Sequence, residues 1–92
     1  MIKSFRCKHT QALYQGKRVR NFESCAAQAE RRLEILDNAK TINDLMSLPS
    51  NHFEALGGDR VGQCSIRVNP QWRVCFEWID ADAYDVEIVD YH

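Results

Sequence analysis

The feature that most constrains this chain is a change of hydrophobic period near its middle. Up to residue 48, apolar residues recur every three or four positions, whereas from residue 63 they alternate with polar residues, as in half-buried strands. Three alternating runs, 63–68, 72–78 and 84–89, are separated by turn sequences. Helices followed by strands predict an α+β fold, in which the apolar face of an antiparallel sheet packs on a helix.

The strongest helical signal lies in residues 21–39. Arg31, Arg32 and Glu34 are predicted to face outward there, because the apolar residues occupy the opposite side. Those apolar residues form one stripe at helical spacing: Phe22, Ala26, Ala29, Leu33 and Leu36.

Shorter elements surround this helix. Residues 2–7 predict a short edge strand, and residues 8–15 predict a short helix that ends at a glycine. A third helix is predicted from Thr41, which stands three places before Asp44 as in a capping box, and Pro49 marks its end.

Size and composition predict one globular domain, residues 1–92. The chain is 45% hydrophobic and 27% charged, as ordinary folded proteins are. It has no apolar run suited to export or membrane insertion, so we expect a cytoplasmic protein with no membrane partner. Its four cysteines lack paired CxxC spacing, and we therefore expect reduced thiols, no metal and no cofactor: Cys7, Cys25, Cys64 and Cys75.

Charge is divided unevenly along the chain. Residues 1–32 hold eight basic and two acidic residues, a balance of +6, whereas residues 33–92 hold four basic and eleven acidic residues, a balance of −7. Such a division indicates either a polyanionic partner or pairing between the two halves, and the composition alone favours neither.

The chain ends in groups that can bind charge or exchange protons. Cleavage of RNA without metal needs a base for the 2′ hydroxyl, an acid for the leaving 5′ oxygen and a cation for the phosphate. Arg73 offers the cation, while Asp90, Tyr91 and His92 offer candidates for the proton transfers. The alternating pattern places Arg73 on the polar face of the sheet.

A purely structural interpretation of the same residues remains open from the pattern alone. Arg73 would then pair with Glu77 or Glu87 on a neighbouring strand. His92 would be a frayed terminus, and Tyr91 an ordinary strand residue.

Three stretches together resemble one protein family. They are "GDRVGQCSIRVNPQWRVCFEW", the terminal "VEIVDYH" and the opening "MIKSF". They resemble the HigB-type host-inhibition toxins, or plasmid maintenance system killer proteins, of the RelE/ParE superfamily, and the resemblance runs nearly end to end. It implies a compact RelE-like α+β fold, with two or three helices packed on a twisted antiparallel sheet. It also implies a type II toxin that cleaves mRNA, typically on the translating ribosome.

The resemblance also implies roles for particular residues. Arg73 in "QWRV" matches the family arginine that contacts the scissile phosphate. Asp90, Tyr91 and His92 match the functional carboxyl-terminal run of the family.

One segment departs from the family pattern. Where well-described members have a segment like "LHPLKGD", this chain has "FEALGGD", so Glu54 and Gly57 replace a histidine and a lysine. We expect weakened cleavage, with Glu54 as a candidate base or with Arg60 or Arg67 as the substitute cation.

The family resemblance also implies partners. These are a HigA-like antitoxin with a helix-turn-helix domain, the ribosome with its mRNA, and operator DNA reached only through the antitoxin complex. The alternative is a non-catalytic toxin that docks a partner, as ParE relatives dock gyrase. Basic residues predicted to contact RNA phosphates are Lys17, Arg18, Arg20, Arg31, Arg32, Arg60 and Arg67.

Overall fold

A four-stranded antiparallel sheet forms the second half of the chain, with its strands in sequence order. The computed structural model describes residues 1–90. Alternation correctly predicted the last three strands, whereas the first has two residues, too few for a period to show. The strands are β1 (Glu54–Ala55), β2 (Gln63–Arg67), β3 (Trp72–Ile79) and β4 (Asp82–Asp90).

Three α-helices precede the sheet within the described residues. They are α1 (Lys8–Tyr14), α2 (Ala26–Asn38) and α3 (Ile42–Met46). The capping box predicted for α3 is present, with the Asp44 amide donating to Thr41 and the Thr41 amide donating to Asp44. The predicted α+β class, with helices against an antiparallel sheet, is confirmed.

The long helix predicted over residues 21–39 is shorter than expected. Residues Arg20–Cys25 form a 3₁₀-helix, and α2 begins only at Ala26. The tighter turn buries both Phe22 and Cys25, and the ring of Phe22 meets the edge of Trp72 at a centroid distance of 5.5 Å. Packing of this aromatic pair therefore replaces the regular helical repeat that the sequence favours.

The amino-terminal segment differs from the predicted edge strand. It runs parallel to β4 but touches it at two isolated bridges, Ile2 with Ala83 and Phe5 with Val86. Between them β4 bulges at Asp85, whose φ is 52° and whose amide donates to the Ser4 hydroxyl. The bulge interrupts the ladder, and a continuous strand cannot form.

The core lies between α2 and the apolar face of the sheet. Leu33 and Leu36 of α2 are fully buried, as are Ile66, Val74 and Phe76 of β2 and β3. This arrangement is the one that the two hydrophobic periods predict.

β3 and β4 form a tight hairpin. Ile79 pairs with Asp82, so that only Asp80 and Ala81 lie in the turn, with φ of 50° and 68°. Positive φ at both central positions is the geometry of a type I′ turn, which matches the twist of the flanking strands. The turn predicted between the second and third alternating runs is thus confirmed, although the strands extend further into it.

None of the helices in residues 1–90 combines the length and the apolar character needed to cross a bilayer.

Candidate active site

The side of the sheet that faces away from α2, called here the polar face, carries the candidate site. Directly opposed residues of antiparallel strands share a face, so the register assigns its members. Arg73 of β3 lies between Arg67 of β2 and Val89 of β4. In the adjacent row, Ser65 lies between Glu54 of β1 and Cys75 of β3.

Arg73 is the buried centre of this face, with 5% of its surface exposed. Its Nε donates to the Ser65 hydroxyl at 2.8 Å, and Nη2 donates to the backbone carbonyl of Ser65 at 3.4 Å and to that of His52. Its Nη1 lies 3.6 Å from the carboxylate of Glu54. A guanidinium can be buried only with such partners, and Arg73 thereby fixes residues 52–54 against the sheet.

The alternative prediction that Arg73 pairs with Glu77 or Glu87 is wrong. Glu87 instead accepts a hydrogen bond from Arg60 at 2.8 Å, and Glu77 makes no ion pair with Arg73. The reason is the short β1 strand, which brings Glu54 over Ser65 and places its carboxylate beside the guanidinium. Sequence reasoning missed this strand and so missed the contact.

Glu54 and Arg73, two predicted site residues, are thus brought together. The side chain of Glu54 is 45% exposed, so its carboxylate reaches solvent while it touches the buried cation. This is an accessible acidic group beside fixed positive charge, an arrangement that can hold or move a proton near a bound phosphate.

His52 belongs to the site, and sequence reasoning missed it. Its backbone is left-handed, with φ 42° and ψ 53°, and its exposed ring places Nε2 3.4 Å from Nη1 of Arg67. Because the backbone is not extended at His52, no regular sequence period marks this position.

Arg32 does not face outward as predicted. Its Nη1 donates to Asn51 at 2.7 Å and to Ser50 at 3.3 Å. Burial, with the neighbouring charge of Arg31, lowers the pKa of the Arg32 guanidinium. Asn51 is fully buried and also donates to the carbonyl of Leu45. Arg32 therefore anchors the segment that leads into His52 instead of lying on an open surface.

Arg60 also has protein partners. Besides Glu87, its guanidinium donates to Gln63 at 2.9 Å. The hydrogen bond that Arg60 donates to Glu87 is the main cause that raises the pKa of Arg60. Of the two cations proposed as substitutes, Arg67 lies opposite Arg73 in register. Arg60 is held on the same face of the sheet by Glu87, which pairs in register with Cys75.

Asp90 is placed apart from Arg73. It pairs in register with Trp72, one position away from the pair of Arg73 and Val89, so its side chain points to the other face of the sheet. Gln71 donates to its carboxylate at 3.2 Å. The predicted site residues Tyr91 and His92 lie outside the described residues.

Most of the basic residues predicted for RNA lie on the amino-terminal half and are exposed. Arg18 forms an ion pair with Glu23 at 3.0 Å. The 3₁₀-helix that starts at Arg20 is joined to the start of β3 by the contact of Phe22 with Trp72. The exposed basic residues are Lys17, Arg18, Arg20 and Arg31.

The thiols are unbridged, and burial raises the pKa of Cys75, Cys25 and Cys64. Such thiols are poor nucleophiles because the thiolate is the reactive form. Across residues 1–90, His, Cys, Asp and Glu side chains form no cluster of three or more suited to a metal ion. The groups available for chemistry on the polar face are therefore guanidinium, carboxylate and imidazole.

Solved structures of other proteins share this fold. The chain is similar to YafQ from E. coli strain BL21(DE3), with a TM-score of 0.62 and 14% identity, over 98% of this chain and 93% of that one. It is also similar to a structure of the YoeB-YefM complex from Staphylococcus aureus, with a TM-score of 0.62 and 17% identity, over 100% and 98% of the two chains. At these identities the likeness shows a shared fold.

Sequence relatives are closer. The chain is 37% identical to Endoribonuclease HigB of Proteus vulgaris, in an alignment that covers 100% of both proteins. It is 53% identical to Toxin HigB-1 of Vibrio cholerae serotype O1 over 53 residues, a match that spans 58% of this chain and 56% of that protein. A protein-family model, described as the RelE-like toxin of type II toxin-antitoxin system HigB, matches residues 3–92 of this chain. The chain therefore belongs to the HigB family of RelE-like toxins.

Proposed function

We propose that this toxin is a metal-independent endoribonuclease that cleaves mRNA on the translating ribosome and thereby stops translation and growth. The full-length relative from Proteus vulgaris bears the name of an endoribonuclease. The observation that carries the proposal is the register of Arg67 opposite Arg73 on the polar face of the sheet, with the carboxylate of Glu54 beside Arg73.

The two arginines contribute to phosphate binding in different ways. Arg67 is only half-buried, and its guanidinium offers a planar pair of donors that matches two phosphate oxygens. Arg73 adds a fixed positive charge from beneath, in a site where burial strengthens its effect on a developing negative charge. The family resemblance adds the carboxyl-terminal run, in which Tyr91 and His92 are the candidates for the proton transfers, because the side chain of Asp90 points to the other face of the sheet.

Mapping of RNA 5′ ends after brief induction tests the proposal. Wild type should create new ends within translated messages, and Arg67→Ala should reduce them strongly while leaving the fold intact, because Arg67 is not buried. Arg73→Lys is the better variant at the buried position, since it keeps a charge there. Growth arrest without new RNA ends would overturn the nuclease assignment in favour of a non-catalytic toxin.

A gain of activity provides a second arm of this experiment. A side chain at Gly57 meets no atom within 4 Å, and the φ of −122° suits any residue, so Gly57→Lys introduces the cation of the family pattern without strain. We expect more cleavage in this variant. Val61→Lys, at a position 78% exposed, is the matched control for charge alone, and equal gains in both variants would contradict a site at residue 57.

We further propose that the exposed basic residues at 17–20, with Arg31, contact ribosomal RNA, and that a HigA-like helix-turn-helix antitoxin neutralises the toxin in the cytoplasm. The antitoxin complex would be the form that contacts operator DNA. Contacts with RNA phosphates weaken steeply with salt. Reversal of charge at Arg18 and Arg20 should reduce sedimentation of the toxin with ribosomes. Unchanged sedimentation would refute the proposal that these residues contact ribosomal RNA.

A further inference from the structure

Both arginines of the candidate site touch His52. Arg73 donates to its backbone carbonyl, while Nη1 of Arg67 lies 3.4 Å from Nε2 of its ring. A phosphate bound by Arg67 would therefore lie beside the His52 imidazole. This proximity is the first condition for a proton-transfer group.

The backbone at His52 holds the ring in place. A left-handed conformation is uncommon for a residue with a side chain, and here it persists because its neighbours fix it on both sides. The His52 amide donates to Pro49 at 3.1 Å, and the preceding Asn51 is fully buried. An exposed imidazole is thus carried on a turn that the buried Asn51 anchors.

The contact with Arg67 involves the Nε2 atom of the ring. A guanidinium has donors only, so a hydrogen bond between these two groups requires Nε2 to be the acceptor, as it is in an imidazole that carries its proton on Nδ1. A neutral imidazole with a free electron pair near a phosphate site can take a proton. The charged groups that face it are Arg67 from β2, Arg73 from β3 and Glu54 from β1.

We propose that His52 is the proton acceptor in RNA cleavage, an assignment that rests on the nuclease function proposed above. Nε2 takes the proton of the 2′ hydroxyl as Arg67 turns to the phosphate. The 2′ oxygen then bonds to phosphorus, and the bond between phosphorus and the 5′ oxygen breaks. The 5′ oxygen takes a proton from solvent as it leaves, giving a 2′,3′-cyclic phosphate and a 5′ hydroxyl.

Replacement of the ring alone separates this role from a structural one. His52→Asn keeps the backbone carbonyl that binds Arg73, tolerates the left-handed conformation and offers an amide oxygen to Arg67, but it cannot accept a proton. We expect cleavage on programmed ribosomes to fall by about 10²- to 10⁴-fold. His9→Asn, at an exposed position on α1, is the matched control and should cleave as wild type does.

Two measurements then distinguish a proton acceptor from a positioning residue. Added imidazole should restore part of the cleavage by His52→Ala, because the ring position is open to solvent, and should not restore Arg67→Ala. An mRNA with sulfur in place of the scissile 5′ oxygen has a leaving group that needs no acid, so it should not rescue His52→Asn.

The outcomes separate this inference from the proposed function. Wild-type cleavage together with full activity of His52→Asn would overturn the role of His52 and leave the nuclease standing. Rescue by the sulfur-containing mRNA would make His52 the acid and overturn its role as acceptor. A wild type that cleaves no RNA would overturn the nuclease itself, and the His52 assignment with it.

Discussion

The two faces of the sheet are buried to a similar extent by different means. Val74 and Phe76 of the apolar face are covered by α2, whereas Ser65 and Arg73 of the polar face contact the short segment that carries β1, and Cys75 pairs in register with Glu87, the partner of Arg60. The first face gains stability by removing apolar surface from water. The second must satisfy every polar group, because an unpaired buried donor or acceptor is costly. The faces should therefore respond differently to substitution.

The largest effect is expected on the apolar face. Phe76 is fully buried, and Phe76→Ala removes a large side chain and leaves a cavity, at a cost of about 4 kcal/mol in the free energy of unfolding. Phe76→Leu retains much of the volume and should cost far less. Urea denaturation of both variants measures the difference, and equal losses would show that volume does not govern this face.

A smaller loss is expected at the centre of the polar face. Arg73→Met keeps most of the apolar stem but removes the donors to Ser65 and His52, at a cost of about 2 to 3 kcal/mol. Arg73→Lys should lose less, because an ammonium can still reach some of these acceptors. Should Arg73→Met prove as stable as wild type, the polar face would owe its order to packing and not to hydrogen bonds.

The smallest effects come from two ion pairs that differ in exposure. Arg60 pairs with Glu87, whose side chain is 16% exposed, whereas Arg18, 85% exposed, pairs with Glu23. We expect Arg60→Ala to cost about 1 kcal/mol, after allowance for solvent screening at the half-exposed guanidinium, and Arg18→Ala to change stability by less than about 0.5 kcal/mol. Urea midpoints of the two variants test the order, and a larger loss at Arg18 would contradict it.

The sequence predicted the apolar face better than the polar one, for a physical reason. The spacing of apolar residues such as Leu33 and Val74 predicts that they are buried, because burial of apolar side chains follows the geometry of helix and strand. Arg73 was predicted as a site residue by resemblance, but its partners depend on residues 52–54. That segment has no regular period, so neither the contact with Glu54 nor the position of His52 was visible before folding.

Two other differences between the predicted and the observed structure also arise from contacts that local sequence patterns do not show. Arg32 was assigned to solvent because it lies off the helical stripe, yet the chain returns to it some twenty residues later through Asn51. The 3₁₀-helix before α2 follows from the meeting of Phe22 with Trp72, which lie fifty residues apart. Contacts between distant parts of the chain override local periodicity at both places.

The bulge at Asp85 has a consequence for assembly. Ile2 and Phe5 form isolated β-bridges with the outer side of β4. The opposite edge strand of the sheet, β1, has only two residues. Neither border offers a long, regular template for a foreign strand. A partner strand that extends the sheet at β4 must first displace the amino-terminal segment. A partner that binds through side chains does not need to displace this segment.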